Sequence, residues 1–405
     1  MMPFFQGITD SFLGMTSWLF LLRHVAIAFN GTCTNSTHKT GRLSKQLKKR
    51  PVFFLGKTMK TSKNLFERII TFENVLSSAH KAAKGKRENQ SVLSYFSHLE
   101  ENLWQIIEEL KGKTWQPGLY TTFNIYKPKP RQISAAPFRD RVVHHALIAL
   151  VGPVLERSFI FDTYANRTAK GTHKAIERYQ HYLTQYAYAL KCDIRKYFPS
   201  IDHEILKSLL RRKIACADTL WLIDTIIDNS NLQTEHFHYF PGDTLFTPQE
   251  RRKGLPIGNL TSQFFANYYL SFLDHYVKEE LRCKGYVRYV DDYVLFSNAK
   301  SELWEWKTAI EEFLMQFRLI LNTQRTELYP TTEGKRFLGQ IVFQTYRQLP
   351  SENVRRAKKR IRCVLLDKPE TQQKSLAGWV GHARQANTHN LLQSLGLDVL
   401  SQKRQ

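Results

Sequence analysis

Two adjacent carboxylates stand in an unusual setting in the segment Tyr286-Val-Arg-Tyr-Val-Asp-Asp-Tyr-Val-Leu-Phe296. The flanks are β-branched and aromatic, which favours paired strands, and Asp291 and Asp292 fall where a hairpin would turn. Asp is common in turns, but two like charges at the tip of an apolar hairpin repel unless a cation sits beside them. Asp193 has the same character: in Leu190-Lys-Cys-Asp-Ile-Arg-Lys-Tyr-Phe198 it closes a short apolar strand just before Pro199. Three carboxylates from two strands match a hard divalent cation, since Mg²⁺ takes oxygen ligands and keeps positions open for phosphate oxygens. Two such ions, Mg²⁺ or alternatively Mn²⁺, would activate an attacking hydroxyl and stabilise a leaving oxygen.

The rest of the composition narrows the substrate. Lys and Arg number 59 against 36 Asp and Glu, a net charge of +23, which points to a polyanion, most simply nucleic acid. Clustered carboxylates in so basic a chain imply a nucleotidyl transferase or a nuclease. With 42% hydrophobic and 13% aromatic residues over 405 positions, disorder is excluded as the overall state. The five cysteines, at 33, 192, 216, 283 and 363, include no C-x-x-C. That pattern argues against a disulfide scaffold and a thiolate zinc site, and for a cytoplasmic location. His144 and His145 are adjacent, and neighbours on a helix do not face each other, so both are read as structural.

The elements that must position these acids follow from periodicity. Helical spacing predicts helices over Asn64–Lys84, Ser91–Lys111, Pro137–Glu156 and Thr261–Leu281, with a further helix after caps at Ser200 and Asp202. Strands are predicted at Thr122–Tyr126 and Ala187–Ile194, and Asn229–Lys253 reads as a polar loop. Helix, strand and hairpin alternate without a βαβ rhythm, so the fold class is α+β.

Residues 1–58 differ from the rest and carry +7 of the charge, leaving +16 to the main body. Ser11–Phe29 is an apolar run, but Met1–Asp10 holds no Lys or Arg, as a signal peptide would. Arg23 and His24 inside the run would be costly in a bilayer. No stable membrane association is expected. Translation is expected to begin at Met59, with 1–58 a disordered or non-native extension.

The motifs together resemble a known family. Tyr289-Val-Asp-Asp292 resembles the Y-x-D-D box of reverse transcriptases, and Asp193-Ile-Arg-Lys-Tyr-Phe198 their first metal-binding motif. Arg131-Gln-Ile-Ser-Ala-Ala-Pro-Phe-Arg-Asp-Arg-Val-Val-His-His145 is similar to the fingers motifs of the bacterial enzymes, and Phe337-Leu-Gly339 to the turn before the thumb. The match spans roughly residues 60–390. Where most of the family has Q-G-x-x-x-S-P, this chain has Ile257-Gly-Asn-Leu-Thr-Ser-Gln263. That form resembles the reverse transcriptases of diversity-generating retroelements, within the group II intron-like superfamily.

The resemblance implies a right-hand polymerase whose antiparallel palm sheet carries the Tyr289–Asp292 hairpin. The expected divisions are 59–185 for N-terminal helices and fingers, 186–344 for the palm with a fingers-like insertion at about 215–255, and 345–405 for the thumb. By position, Asp193, Asp291 and Asp292 would hold two Mg²⁺ ions. Arg131 and Arg139 would hold the triphosphate, Tyr197 would exclude a ribose 2′-hydroxyl, and Ile257 and Gly258 would line the nucleotide pocket. Arg325-Thr326 stands where a Lys-Thr pair is usual, and guanidinium gives up a proton less readily than ammonium. The cations Arg355, Arg356, Lys358, Lys359, Arg360 and Arg362 would grip template–primer phosphates. Implied partners are a template RNA, a DNA or RNA primer, dNTPs and a small basic accessory protein. The implied activity is RNA-directed DNA synthesis with errors at adenines, in mutagenic retrohoming. The alternatives are a retron, group II intron-like or phage-defence reverse transcriptase and, from another class, an inactive RNA-binding protein. The short stretch after Phe337-Leu-Gly339 fits a mobile intron enzyme less well, and three clustered acids serve no purpose in RNA binding alone.

Overall fold

The computed structural model describes residues 64–126, 130–230, 238–367 and 369–397. Contacts divide the chain into 1–58 and Met59–Gln405, and every described residue belongs to the second unit. The expectations for residues 1–58 lie outside the described residues.

Near-continuous runs of buried residues build the central sheet. Its strands are β3 (Tyr188–Cys192), β4 (Gly285–Tyr289), β5 (Asp292–Ser297) and β6 (Glu327–Pro330), in the order β4-β5-β3-β6. Every neighbouring pair is antiparallel. Alternate side chains leave on opposite faces. Ala189, Val287, Val294 and Phe296 pack with Ile176, Tyr179 and Leu183 of the helix Thr172–Gln185. Leu190, Cys192, Tyr286, Tyr293 and Leu295 belong to the main core, with Leu303, Ile310 and Phe313 of the helix Lys300–Gln316. Helices therefore cover both faces, so β5 reads as a continuous apolar run rather than an alternating one.

The helix Phe138–Glu156 is the axis of the N-terminal part and buries Val142, Val143, Ala146, Leu147, Val151 and Leu155. Short helices pack around it, and three sequence expectations for helices are corrected. Asn64–Lys84 is two helices, Phe66–Ile69 and Phe72–Ala83, because Thr71 Oγ1 accepts the Asn74 amide N–H (3.4 Å) and starts a new one. The Asn74 side chain fixes the break by donating to the carbonyls of Ile69 (2.8 Å) and Ala146 (3.1 Å). Ser91–Lys111 likewise splits into Gln90–Ser97 and Leu99–Lys111 at His98, whose φ of −123° is not helical. Thr261–Leu281 also divides, into Leu260–Tyr269, Ser271–His275 and a π-helical turn Tyr276–Glu280.

Two further sheets flank this body. Strands β1 (Thr121–Ile125) and β2 (Arg131–Ala135) form an antiparallel hairpin. Strands β7 (Lys335–Phe337), β8 (Gln340–Val342) and β9 (Arg347–Gln348) form a small sheet. The β7–β8 turn is Leu338-Gly339, both left-handed at φ +45° and +90°, the backbone that a two-residue hairpin needs and that Gly supplies at no steric cost. Beyond it, the helices Ser351–Asp367, Pro369–Ala383 and His389–Ser394 gather around Leu376, Val380, Ala383 and Leu392. Among the described residues, no helix is long and apolar enough to cross a membrane, and Cys192, Cys216 and Cys283 are free thiols.

Candidate active site

The β4–β5 hairpin turns where the sequence predicts it, with Tyr289 paired to Asp292 and only Val290 and Asp291 in the turn. Val290 has φ +58°, a region that β-branched residues rarely enter and that costs of order 1–3 kcal/mol. The strain puts Asp291 at the tip. Next in the sheet, Cys192 pairs with Tyr293, so one further step along the register brings Asp193 level with Asp292. The three acids thus share one end of the central sheet.

Their electrostatics are coupled. Burial, joined by the charges of Asp193 and Asp292, pushes the Asp291 carboxyl up to about 6, while its own backbone amide and the Arg131 charge oppose the rise. The other two acids have cationic or amide neighbours. Asp193 Oδ2 accepts from Asn322 Nδ2 (3.0 Å) and from Arg325 Nη1 (3.2 Å). The Asn322 amide N–H also donates to the Asp193 carbonyl (2.8 Å), tying the strand end to the turn before β6. Lys191 Nζ lies 3.5 Å from Asp292 Oδ1. Among the described residues, no three His, Cys, Asp or Glu side chains are gathered as a metal cluster. Two of the three acids lie beside the chain's own cations, Asp193 with Arg325 and Asp292 with Lys191. The donor set still suits a hard divalent ion: every available ligand is a carboxylate oxygen, and the raised Asp291 carboxyl marks negative charge that a cation would relieve.

Around the acids, the nucleotide-pocket box is locked to β2. The Ile257 carbonyl accepts the Ser134 amide N–H (3.0 Å). Buried Asn259 accepts from the Ala136 amide (3.3 Å) through Oδ1 and donates to the Ser134 carbonyl (3.1 Å) through Nδ2. Gly258 between them has φ +120°, and a Cβ there would lie 3.0 Å from Ile133 Cγ2, so glycine is required twice over. Ile257 is half-buried, and Arg131 at the start of β2 is exposed. The segment leading into the box is anchored as well. Arg251 lies 3.4 Å from buried Asp202, and Arg318 Nη1 donates to the same carboxylate (2.5 Å).

One expectation fails at this corner. Tyr197 is not an accessible ring: it is 2% exposed and its hydroxyl donates to the Ala266 carbonyl. The half-exposed aromatic is its neighbour Phe198, because the short helix Tyr197–Ser200 turns consecutive side chains to different sides. Arg139 is paired with Glu109 of the helix Leu99–Lys111. His144 is buried, and burial with the charges of His145 and Arg141 pushes it down to about 3, in keeping with a structural role.

On the helix Ser351–Asp367, Arg355, Arg356, Lys358, Lys359 and Arg360 are exposed while Ala357 is buried; the side chain of Arg362 lies outside the described residues. Sequence reasoning missed Lys191, Asn322 and Asn259 as site neighbours. Lys191 left a signal, since in a strand it shares a face with Asp193 two residues on, and Asn259 lies inside the Ile257–Gln263 box; Asn322 left none.

A family model described as reverse transcriptase (RNA-dependent DNA polymerase) matches residues 122–342. Protein YkfC of Escherichia coli K12 is 24% identical over 213 residues, 50% of this chain and 49% of that protein. The group II intron-encoded protein LtrA of Lactococcus lactis subsp. cremoris is 24% identical over 211 residues, 51% of this chain and 33% of that protein. The chain thus matches half or less of these relatives' length. Two apo telomerase structures from Candida tropicalis align at 12% and 13% identity, with TM-scores of 0.37 and 0.40. They cover 57% and 64% of this chain, over 55% and 54% of their own.

Proposed function

Because the chain belongs to the reverse transcriptase (RNA-dependent DNA polymerase) family, with its right-hand polymerase fold, we propose that it copies a template RNA into DNA at the corner formed by Asp193, Asp291 and Asp292. The observation that carries this reading is the Val290-Asp291 turn, which sets a carboxylate raised to about 6 within the fields of two other acids and of Arg131. Asp193 and Asp291, with Asp292 beside them, would hold two Mg²⁺ ions. Bound there, the ions would supply Lewis acidity for nucleotidyl transfer. Arg131 would draw the triphosphate towards Asp291, while Ile257 and Gly258, fixed to β2 through Asn259, would shape the pocket. Phe198 replaces Tyr197 as the ring set against a ribose 2′-hydroxyl. Arg325 covers Asp193 as an exposed pair, worth little in water, and yields to a bound cation. Residues 59–185 would be the N-terminal helices and fingers, 186–344 the palm and 345–405 the thumb. The exposed cations of the helix Ser351–Asp367 would hold the template–primer backbone.

Within the family, Ile257-Gly-Asn-Leu-Thr-Ser-Gln263 supports the mutagenic, diversity-generating type, acting with a small basic accessory protein. The similarity to LtrA favours the group II intron-like alternative. Extension of a labelled DNA or RNA primer on an RNA template with Mg²⁺, followed by sequencing of the product, tests both levels. DNA synthesis lost on Asp193→Asn or Asp291→Asn supports the polymerase reading, and errors concentrated opposite template adenines support the mutagenic type. Synthesis unaffected by either substitution refutes the site, and an even, low error spectrum refutes the mutagenic type.

A further inference from the structure

The turn presenting Asp291 is strained at Val290, where φ is +58°, and such backbone persists only where its surroundings over-determine it. Two residues before Val290, Arg288 is fully buried, and its guanidinium uses all five of its N–H donors. Nε donates to Asp274 Oδ1 (2.6 Å) and Nη2 to Asp274 Oδ2 (2.6 Å), a bidentate pair. Nη2 also donates to the Asn267 carbonyl (3.2 Å). Nη1 donates to Asn267 Oδ1 (2.9 Å) and to the Val290 carbonyl (2.8 Å). The supports are themselves held. Asp274 accepts from the Tyr286 hydroxyl (2.8 Å) and the Thr163 hydroxyl (2.9 Å), and Asn267 Nδ2 donates to the Ala165 carbonyl (2.9 Å).

The strand does not need this side chain. The backbone of Arg288 pairs with Tyr293 in β5, donates to the Asp162 carbonyl (3.0 Å) and accepts from the Tyr164 amide (3.0 Å). Nor is a buried ion pair an economical source of stability, since apolar replacements of equal volume are often neutral or better. What the guanidinium does that an apolar side chain cannot is fix the Val290 carbonyl, and so the direction of the next residue.

We infer that Arg288 is a positioning residue: clamped by Asp274 and Asn267, it holds the strained Val290 carbonyl and thereby aims the Asp291 carboxylate. The inference rests on the reading of Asp291 as a metal-binding carboxylate. Lysine keeps the charge at position 288 but, with one compact ammonium, cannot serve Asp274, Asn267 and Val290 together.

The experiment compares full-length wild type, Arg288→Lys, Asn267→Ser, Asp291→Asn and the double variant Arg288→Lys/Val290→Gly. It measures Mn²⁺ affinity without substrate, template–primer affinity, single-turnover extension rate and thermal midpoint. Arg288→Lys is expected to weaken Mn²⁺ binding about tenfold and slow extension at least as much, while template–primer affinity stays within about twofold. Asn267→Ser, which removes one acceptor from Nη1 and leaves Asp274 paired, is expected to give a smaller loss of the same kind and decides the matter if Arg288→Lys does not fold. Glycine adopts positive φ without strain, so Val290→Gly is expected to restore part of the lost Mn²⁺ affinity in the double variant. Wild-type Mn²⁺ affinity in Arg288→Lys and Asn267→Ser, with Asp291→Asn impaired, overturns the inference alone. So does a loss of extension matched by equal losses of template–primer affinity and thermal midpoint. Wild-type Mn²⁺ affinity in Asp291→Asn overturns the metal reading and the inference with it.

Discussion

Replacing Asp291 by Asn should abolish polymerisation and stabilise the metal-free protein. Burial, with Asp193 and Asp292, raises the Asp291 carboxyl from 3.8 to about 6, so its ionised form costs the folded state about 3 kcal/mol at neutral pH. With relaxation around the charge, on the order of 1–3 kcal/mol should be recovered by the neutral isostere, about 2–6 °C in thermal midpoint. The direction in pH is the reverse of the usual paired carboxylate. The folded state holds this proton more tightly than the unfolded state, so the penalty sets in as pH rises through about 4 to 6 and is complete above that range. The stability of Asp291→Asn relative to wild type, measured in chelator by denaturant or heat, should therefore widen between pH 4 and 6 and level off by pH 7.5. Mg²⁺ should narrow the gap at pH 7.5, because it binds only the folded wild type. Asn has nearly the same volume and leaves the exposed cations untouched, so RNA binding should be unchanged. A variant less stable than wild type at pH 7.5, or a gap independent of pH, would refute the electrostatic reasoning. Primer extension above a tenth of the wild-type rate would refute the catalytic role.

Ile257→Gln should lower misincorporation opposite template adenine up to about tenfold, because one hydrogen bond made only in the correct geometry is worth about 1.4 kcal/mol. An unchanged error rate with activity intact, or an equal shift in Ile257→Val, removes this position as the determinant. Asn259→Ala leaves the Ala136 amide and the Ser134 carbonyl without their side-chain partner. It should cost about 2 kcal/mol in denaturant unfolding and raise KM for dNTPs; unchanged values on both counts would show that the contact between the box and β2 is incidental. Phe198→Ala should admit ribonucleotides while Tyr197→Phe does not, measured as the rNTP-to-dNTP ratio of kcat/KM, and the opposite pattern would restore Tyr197 to that role.

Local chemistry alone determined several elements of this protein. Branched and aromatic residues on both sides of two acids dictate a hairpin, and β4, the Val290-Asp291 turn and β5 fall where that pattern puts them. Asp202 caps the helix His203–Arg211 by accepting the Ile205 amide N–H (3.0 Å), as its position before an amphipathic run requires. These features depend on neighbours a few residues away, which a sequence displays directly. Tertiary structure decided what depends on distant partners. Asn74 breaks a helix by bonding to Ala146, 72 residues on. Asp193 meets Asn322 and Arg325 across 129 and 132 residues. The pattern of residues 193–198 cannot tell which aromatic is sealed in the core, because Tyr197 is committed by the carbonyl of Ala266. Arg288 looks from sequence like one more cation in a basic chain, yet burial beside Asp274 makes it the support of the turn. Charge counts and periodicity report which groups are present and which face they share. Burial and pairing between segments far apart in the chain set what each group does.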